Sequence, residues 1–361
     1  MGELKLMKGN EAFAEGLIRS GADGYFGYPI TPQSEVIEYL MAEEPHKRTG
    51  MVVLQAESEL AAINMVYGGA AAGKRVATSS SSPGISLKLE GISYMAGAEL
   101  PGVILNVVRG GPGLGTIQPS QADYNQAVKG GGHGDYNLLV LAPASVQEMY
   151  DFASLGMELA FKYRNPVMIL SDGVIGQMME KVVLSDQAER LTDEEIYAKY
   201  GDWATVGRTN GRERNIVTSL HLKSEKMEAH NHKLAAKYKK MAEEEIRFEE
   251  FETEDAEYLL VAFGSSARIS QNAVKIARAK GIKLGLLRPI TLFPYPKARL
   301  NELADQVKGM LSVEMNMGQM VDDVRLAVNG KIKVEHFGRV GGIIPTSDEI
   351  VEALEQKIIG G

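Results

Sequence analysis

Arg109 follows the apolar run 103–108 directly and precedes a glycine loop at 110–115. An arginine at the carboxyl end of a strand, beside flexible backbone, can clamp a carboxylate through two parallel hydrogen bonds. Thr31 lies in Tyr28-Pro29-Ile30-Thr31-Pro32, just after another short strand pattern. The two prolines stiffen that loop, and the threonine hydroxyl can donate or accept a hydrogen bond. Residues 55–63 read QAESELAAI, so Glu57 and Glu59 stand where an apolar strand gives way to an alanine-rich helix. A helix N-terminus favours a carboxylate in its ionised form. Each of these also has an ordinary explanation: a surface ion pair, a rigid turn with an N-cap, and first-turn dipole complementation.

Other motifs promise chemistry that their context withdraws. Residues 68–75 read GGAAAGKR, one residue from a phosphate-binding P-loop. Arg75 stands where a magnesium-binding Ser or Thr is required, and the glycines end a helix instead of opening one. A helix C-terminus capped by Gly73 is the expectation. The glycine loop 110–115, GGPGLG, has Thr116 in place of the third glycine of a dinucleotide fingerprint. His221, His230 and His232 sit in a highly charged helical stretch and are read as surface histidines, with no metal assigned.

These side chains depend on the elements that carry them. From Asn10 to about residue 172, helix and strand patterns alternate. The spacing predicts a helix capped by Asn10 and running to Ser20, and helices over 33–42, 57–72, after Pro83-Gly84, and over 145–161. Strands are expected over 24–28, 51–55, 76–78, 103–107, 138–142 and 167–170. Several of these strands are continuous apolar runs, which suit a parallel sheet buried on both faces. Such alternation predicts a doubly wound α/β domain, with functional loops at the carboxyl ends of its strands. A charged stretch with Trp203 follows, read as a connector whose long solvated helix spans 223–249. From residue 257 the alternation returns, with strands at 258–263, 283–287, 310–314 and 332–335 and helices at 267–279 and 319–328. The expected division is therefore 1–185, 186–250 and 251–361.

The net charge of −8 and the lack of a basic stripe argue against nucleic acid as a partner. No apolar stretch approaches membrane-span length, and the first ten residues are charged at Glu3, Lys5 and Lys8, so a cytoplasmic location without membrane is expected. There is no cysteine, which removes disulfides, a cysteine nucleophile and thiolate ligation of iron–sulfur clusters by this chain.

Taken together and in order, the motifs resemble the alpha subunits of the 2-oxoacid:ferredoxin oxidoreductases. The resemblance is carried by YPITP (28–32), ESELAA (57–62), Thr78 with SSSSPG (79–84), NVVRGGPGLG (106–115), Gln118-Pro119, GGGHGD (130–135), LAPASVQE (141–148), NPVMILSDG (165–173), RPITLFP (288–294) and VEMNMGQM (313–320). It covers nearly the whole chain and points to the branched-chain group acting on 3-methyl-2-oxobutanoate. It implies a pyrimidine-type thiamine-diphosphate-binding domain and a smaller α/β domain like the C-terminal domain of transketolases. It further implies Glu59, in preference to Glu57, against the pyrimidine N1′ as the catalytic group, with Tyr28, Pro29 and Ile30 beside the cofactor, and Thr31 and Arg109 holding the 2-oxoacid.

No GDG motif with a downstream Asn is present; Trp203 spoils the nearest candidate at 201–203. The resemblance therefore implies a beta subunit carrying the diphosphate and Mg2+, a ferredoxin-like subunit carrying iron–sulfur clusters, and coenzyme A and ferredoxin as reactants. The isolated chain is expected to be inactive and homodimeric. The alternatives are the same chemistry on 2-oxoglutarate or pyruvate, and a thiamine-dependent transketolase-like or decarboxylase-like half-enzyme.

Overall fold

The computed structural model describes residues 3–208 and 211–360. Met1, Gly2, Thr209, Asn210 and Gly361, which belong to the outer ends and connector of the expected division, lie outside the described residues. The first half of the chain contributes strands β1 (Glu3–Lys8), β2 (Gly24–Gly27), β3 (Val52–Gln55), β4 (Val76–Ser80), β5 (Gly102–Val108), β6 (Leu139–Leu141), β7 (Pro166–Asp172) and β8 (Met179–Leu184). The second half contributes β9 (Phe248–Phe251), β10 (Tyr258–Ala262), β11 (Leu284–Pro289), β12 (Thr291–Phe293), β13 (Gly309–Glu314) and β14 (Lys333–Gly338).

A seven-stranded sheet runs in the order β12-β6-β7-β5-β4-β2-β3, parallel throughout except for β12. Every residue of β4, β5 and β7 is buried, as expected for strands covered by helices on both faces. The chain leaves β2 on one side for β3 and on the other for β4. That reversal is a topological switch point, where the carboxyl ends of strands open a crevice. The loops after β2, β3, β4 and β5 all meet there, and they carry Thr31, Glu59, the 79–84 serine run and Arg109.

Two helices floor that crevice, Glu59–Ala71 and Ser82–Gly97. The first begins at Glu59 and not at Glu57, because the Ser58 hydroxyl caps it by accepting from the Ala61 N–H at 3.2 Å. The two helices pack closely because glycine faces one of them. A Cβ on Gly91 would lie 2.6 Å from Ile63 Cγ2, and one on Gly84 would lie 2.6 Å from Glu59 Oε1. The helix Glu59–Ala71 ends with Gly73 at φ +75°, and Lys74 bonds Asp193 at 2.7 Å, so the P-loop-like run is a helix stop.

The second sheet runs β14-β13-β10-β11-β9, parallel except for β9. Three expectations are corrected here. The charged stretch is not one helix to residue 249: the helix covers Ser224–Glu244, and Phe248–Phe251 becomes an antiparallel edge strand. Buried Glu245 stops it, held by Lys162 at 2.6 Å, Tyr163 at 2.7 Å and Arg247 at 2.7 Å. Nor is that helix wholly solvated, since Leu234, Tyr238 and Met241 are buried at helical spacing. The first helix likewise starts at Gly9, not from a cap at Asn10. Asn10 is free for another task, donating to the Pro32 carbonyl at 2.7 Å and to Glu35 at 3.0 Å.

The two sheets are tied by more than a linker. β12 crosses from the second half to pair with β6. Arg288 on β11 donates to the Ala142 carbonyl at 3.0 Å and to Glu148 Oε1 at 2.9 Å. Asp172 at the end of β7 accepts from the Ser265 N–H at 3.1 Å and hydroxyl at 2.7 Å. Glu314 accepts from three backbone N–H groups, of Gln319, Met320 and Val321, at 2.8–3.1 Å. The RPITLFP and VEMNMGQM motifs are therefore joints of the fold. Among the described residues no helix is long and apolar enough to cross a membrane.

Candidate active site

Thr31 and Arg109 meet at the switch point. Arg109 is 6% exposed, and its Nη1 donates to the Thr31 carbonyl at 3.0 Å while Nη2 donates to the Leu114 carbonyl at 3.2 Å. Its Nε is buried and has no partner. The Arg109 backbone N–H is held by the Ser82 hydroxyl at 3.1 Å, which fixes the arginine to the start of the helix Ser82–Gly97. Thr31 itself is exposed, and its peptide bond to Pro32 is cis.

The loop that presents Thr31 is braced from three sides. Gln33 donates to the Tyr28 carbonyl at 3.2 Å and accepts from the Ser79 hydroxyl. Asn10 and Gln177 both donate to the Pro32 carbonyl, at 2.7 Å and 2.9 Å. Tyr28, Pro29 and Ile30 are half-buried within it. Asn10, Ser79 and Gln177 do not stand out in sequence as braces, because each reaches the loop from a distant segment.

Glu59 is buried, at 6% exposure, and no group among the described residues donates to its carboxylate. Glu57 is exposed and takes a hydrogen bond from Ser58 at 2.7 Å. Glu59 Oε1 and Ser80 Oγ both face Gly84, and the hydroxyls of Ser80 and Ser81 are buried and without a partner among the described residues. Lys88 is fully buried in the same helix as Gly84, and it was not anticipated from sequence. Its only signal there was its place on the buried face that also carries Ile85, Gly91 and Ile92. An aminopyrimidine needs a carboxylate against one ring nitrogen and polar groups at the ring edge. A donor-free carboxylate with the orphaned Ser80 hydroxyl near it fits that demand.

His133 and the 130–135 loop lie on the far side of the helix Ser82–Gly97, where Ser93 bonds the His133 carbonyl at 2.7 Å. His221 and His230 stack with ring centroids 4.9 Å apart, and His230 bonds the Gly97 carbonyl at 2.7 Å. Among the described residues no group of three or more His, Asp or Glu is placed to hold a metal.

Several large apolar side chains on the elements around the crevice are exposed: Val52 and Leu54 on edge strand β3, Leu60 and Met65 on the following helix, and Leu114 and Ile117 in the glycine loop. Edge strands of this kind are normally covered.

Residues 15–247 match the family described as Pyruvate flavodoxin/ferredoxin oxidoreductase, thiamine diP-bdg, and residues 256–350 match Pyruvate:ferredoxin oxidoreductase core domain II. The chain belongs to the 2-oxoacid:ferredoxin oxidoreductase family and is a subunit of such an oxidoreductase. It is 49% identical, over 98% of its length and 97% of the relative's, to the ketoisovalerate oxidoreductase subunit VorB of Methanothermobacter thermautotrophicus. It is 36% identical, over 99% of its length and 100% of the relative's, to the 2-oxoglutarate synthase subunit KorA of Archaeoglobus fulgidus.

Among solved structures, it is similar to the 2-oxoglutarate:ferredoxin oxidoreductase from Magnetococcus marinus with 2-oxoglutarate, coenzyme A and succinyl-CoA bound. The TM-score is 0.86 and the identity 26%, over 99% of this chain and 66% of that longer one. A split-gene transketolase, inactive beta4 tetramer, shares the fold at TM-score 0.62 and 14% identity, over 98% of both chains.

Proposed function

We propose that this chain supplies the pyrimidine side of the active site in an oxidoreductase that converts 3-methyl-2-oxobutanoate and coenzyme A to an acyl-CoA, carbon dioxide and reduced ferredoxin. The observation that carries the substrate is the 49% identity to a ketoisovalerate oxidoreductase subunit, against 36% to a 2-oxoglutarate synthase subunit. The buried, donor-free Glu59 supports the placement of the cofactor.

Thiamine diphosphate, when bound, supplies the electron sink without which a 2-oxoacid does not lose carbon dioxide. Glu59 would share a proton with the pyrimidine N1′, a general acid–base role. Arg109 would hold the substrate carboxylate through its unpartnered Nε, in addition to its two contacts with the Thr31 and Leu114 carbonyls. Thr31, tied to Arg109 through its own carbonyl, would direct its hydroxyl to the substrate carbonyl oxygen. Tyr28, Pro29 and Ile30 would wall the ring. The exposed apolar side chains around the crevice would be covered by a beta subunit that brings the diphosphate and Mg2+, which would exclude water from the crevice.

Iron–sulfur clusters would sit on a further, ferredoxin-like subunit, since this sequence holds no cysteine. The two electrons released with the acyl group would pass singly through them to ferredoxin. The matched ranges, 15–247 and 256–350, support a division near residue 250 into a cofactor-binding part with its connector and an assembly domain. A cytoplasmic setting suits ferredoxin and coenzyme A as reactants.

The test is purification of the complex from its source, followed by coenzyme A-dependent reduction of a viologen dye with 3-methyl-2-oxobutanoate, 2-oxoglutarate and pyruvate. The highest kcat/KM is expected for 3-methyl-2-oxobutanoate. A higher value for either of the others reassigns the substrate.

A further inference from the structure

Lys88 and Glu59 share the floor of the crevice, although neither forms a salt bridge with the other among the described residues. Lys88 has 0% exposure. Its Nζ donates to Thr78 Oγ1 at 2.6 Å and to the Ser79 backbone carbonyl at 3.0 Å. Gly84, four residues earlier on the same helix face, is the residue against which Glu59 Oε1 packs. Burial pushes Lys88 down to about 7, and the Glu59 carboxylate opposes that shift. The other titratable group packed on this cluster is Tyr25, bonded to the Ser79 hydroxyl at 2.5 Å; burial raises it far above neutrality, so it stays protonated.

An ammonium taken wholly out of water is costly, and an apolar side chain of the same length would fill this volume without that penalty. Its presence behind a donor-free carboxylate is what calls for an explanation. We propose that Lys88 is a positioning residue for Glu59: an ammonium clamped by Thr78 and Ser79 that keeps the Glu59 carboxylate ionised when a flat ring closes over it. The proposal rests on the reading of Glu59 given above and adds to it.

A carboxylate sealed from water tends to take up a proton, because desolvation disfavours its charged form. A neutral carboxyl then makes only an ordinary hydrogen bond to a ring nitrogen, whereas an ionised one makes a charge-assisted bond roughly twice as strong. A fixed cation behind the carboxylate restores the ionised form. Solvent ions cannot take its place, because Lys88 is closed to solvent.

The experiment uses the assembled complex with Lys88→Met, Glu59→Gln and the double variant. At pH 6.5, Lys88→Met should lower kcat by about 10-fold or more with the KM for the 2-oxoacid unchanged. The acid limb of its kcat–pH profile should move to higher pH, since a carboxyl without the cation ionises later. The profiles of wild type and variant should converge toward pH 9, where Lys88 in the wild type has lost its own charge. Independently of turnover, calorimetric affinity of the cofactor-free complex for thiamine diphosphate at pH 6.5 should fall by about 10-fold in Lys88→Met and in Glu59→Gln, and no further in the double variant. If Lys88→Met does not fold, Thr78→Val, which removes one of the two oxygens holding the ammonium, should give the same changes in smaller measure.

Parallel pH profiles, or a Lys88→Met effect that persists undiminished in the Glu59→Gln background, would overturn the proposal and reduce Lys88 to packing. Inactive Glu59→Gln with unimpaired Lys88→Met would overturn it while leaving the role of Glu59 intact. Full turnover in Glu59→Gln overturns both.

Discussion

The guanidinium of Arg109 donates to the backbone carbonyl of Thr31 at 3.0 Å, across 78 residues of chain. That bond joins the loop after β5 to the loop after β2, so the two groups assigned to the substrate are one mechanical unit. One arm of the fork is spent on Thr31 and another on Leu114, and among the described residues the buried Nε has no partner.

Arg109→Lys keeps the charge but loses the fork. The KM for the 2-oxoacid should rise about 10- to 100-fold, the value of a hydrogen bond to a charged group, with kcat changed less. Steady-state kinetics of the complex decide it, and an unchanged KM removes Arg109 from the substrate site.

Glu59→Gln should lower kcat by about 10²- to 10⁴-fold, as for the loss of a general acid–base group. Glu57→Gln, at an exposed position bonded only to Ser58, should leave kcat unchanged. Single-turnover rates of both variants separate the two glutamates, and reversed results would exchange their roles.

Glu148→Ala should destabilise the isolated chain by about 3 kcal/mol, because it strips a main partner from a buried arginine. Arg288 is 5% exposed, and Glu249 and the Ala142 carbonyl would be left to satisfy it. Denaturant unfolding measures the loss, and adding Arg288→Met should recover much of it by removing the stranded charge. Equal stability of wild type and Glu148→Ala would show that this joint between the two sheets is idle.

The pH dependence of stability should carry the imprint of Glu15. Burial alone would raise this carboxyl, but hydrogen bonds from Arg48 and Arg19 outweigh it and hold it below its usual 4.5. A group depressed in the folded state contributes stability above its unfolded value, and that stability is lost as pH falls through the folded value. Glu15→Gln should therefore cost about 1 kcal/mol at pH 7, discounted because Arg48 is about one-third exposed. The difference from wild type should shrink below pH 4.5. Denaturation midpoints at pH 7, 5 and 3.5 check this, and a difference that grows on acidification contradicts it.

Much of this protein was legible from residues in a row. The apolar runs that became β5, β6 and β7 announced a parallel sheet, because strands buried on both faces need no alternation. Ser58 next to Glu59 could have announced where the helix starts, since a hydroxyl cap is a local event. That Arg109 and Thr31 lie in loops after strands was legible because the strand patterns end just before them.

Other features depended on segments far apart in the chain. The crossing of β12 into the first sheet, the pairing of β1 with β8, and the end of the charged helix at Glu244 are each settled by a partner more than 40 residues away. No local pattern encodes a choice between two distant partners of equal chemistry.

Sequence by itself determined the alternation of elements, the family and the residue types at the switch point, because periodicity, caps and motif order are properties of neighbours. Only the tertiary structure decided that Glu59 and not Glu57 is buried, that Asn10 and Gln33 brace the Thr31 loop, and that Lys88 is buried one helical turn from where Glu59 meets Gly84. Burial and desolvation are set by what closes over a side chain from elsewhere, and that closure exists only once the chain has folded.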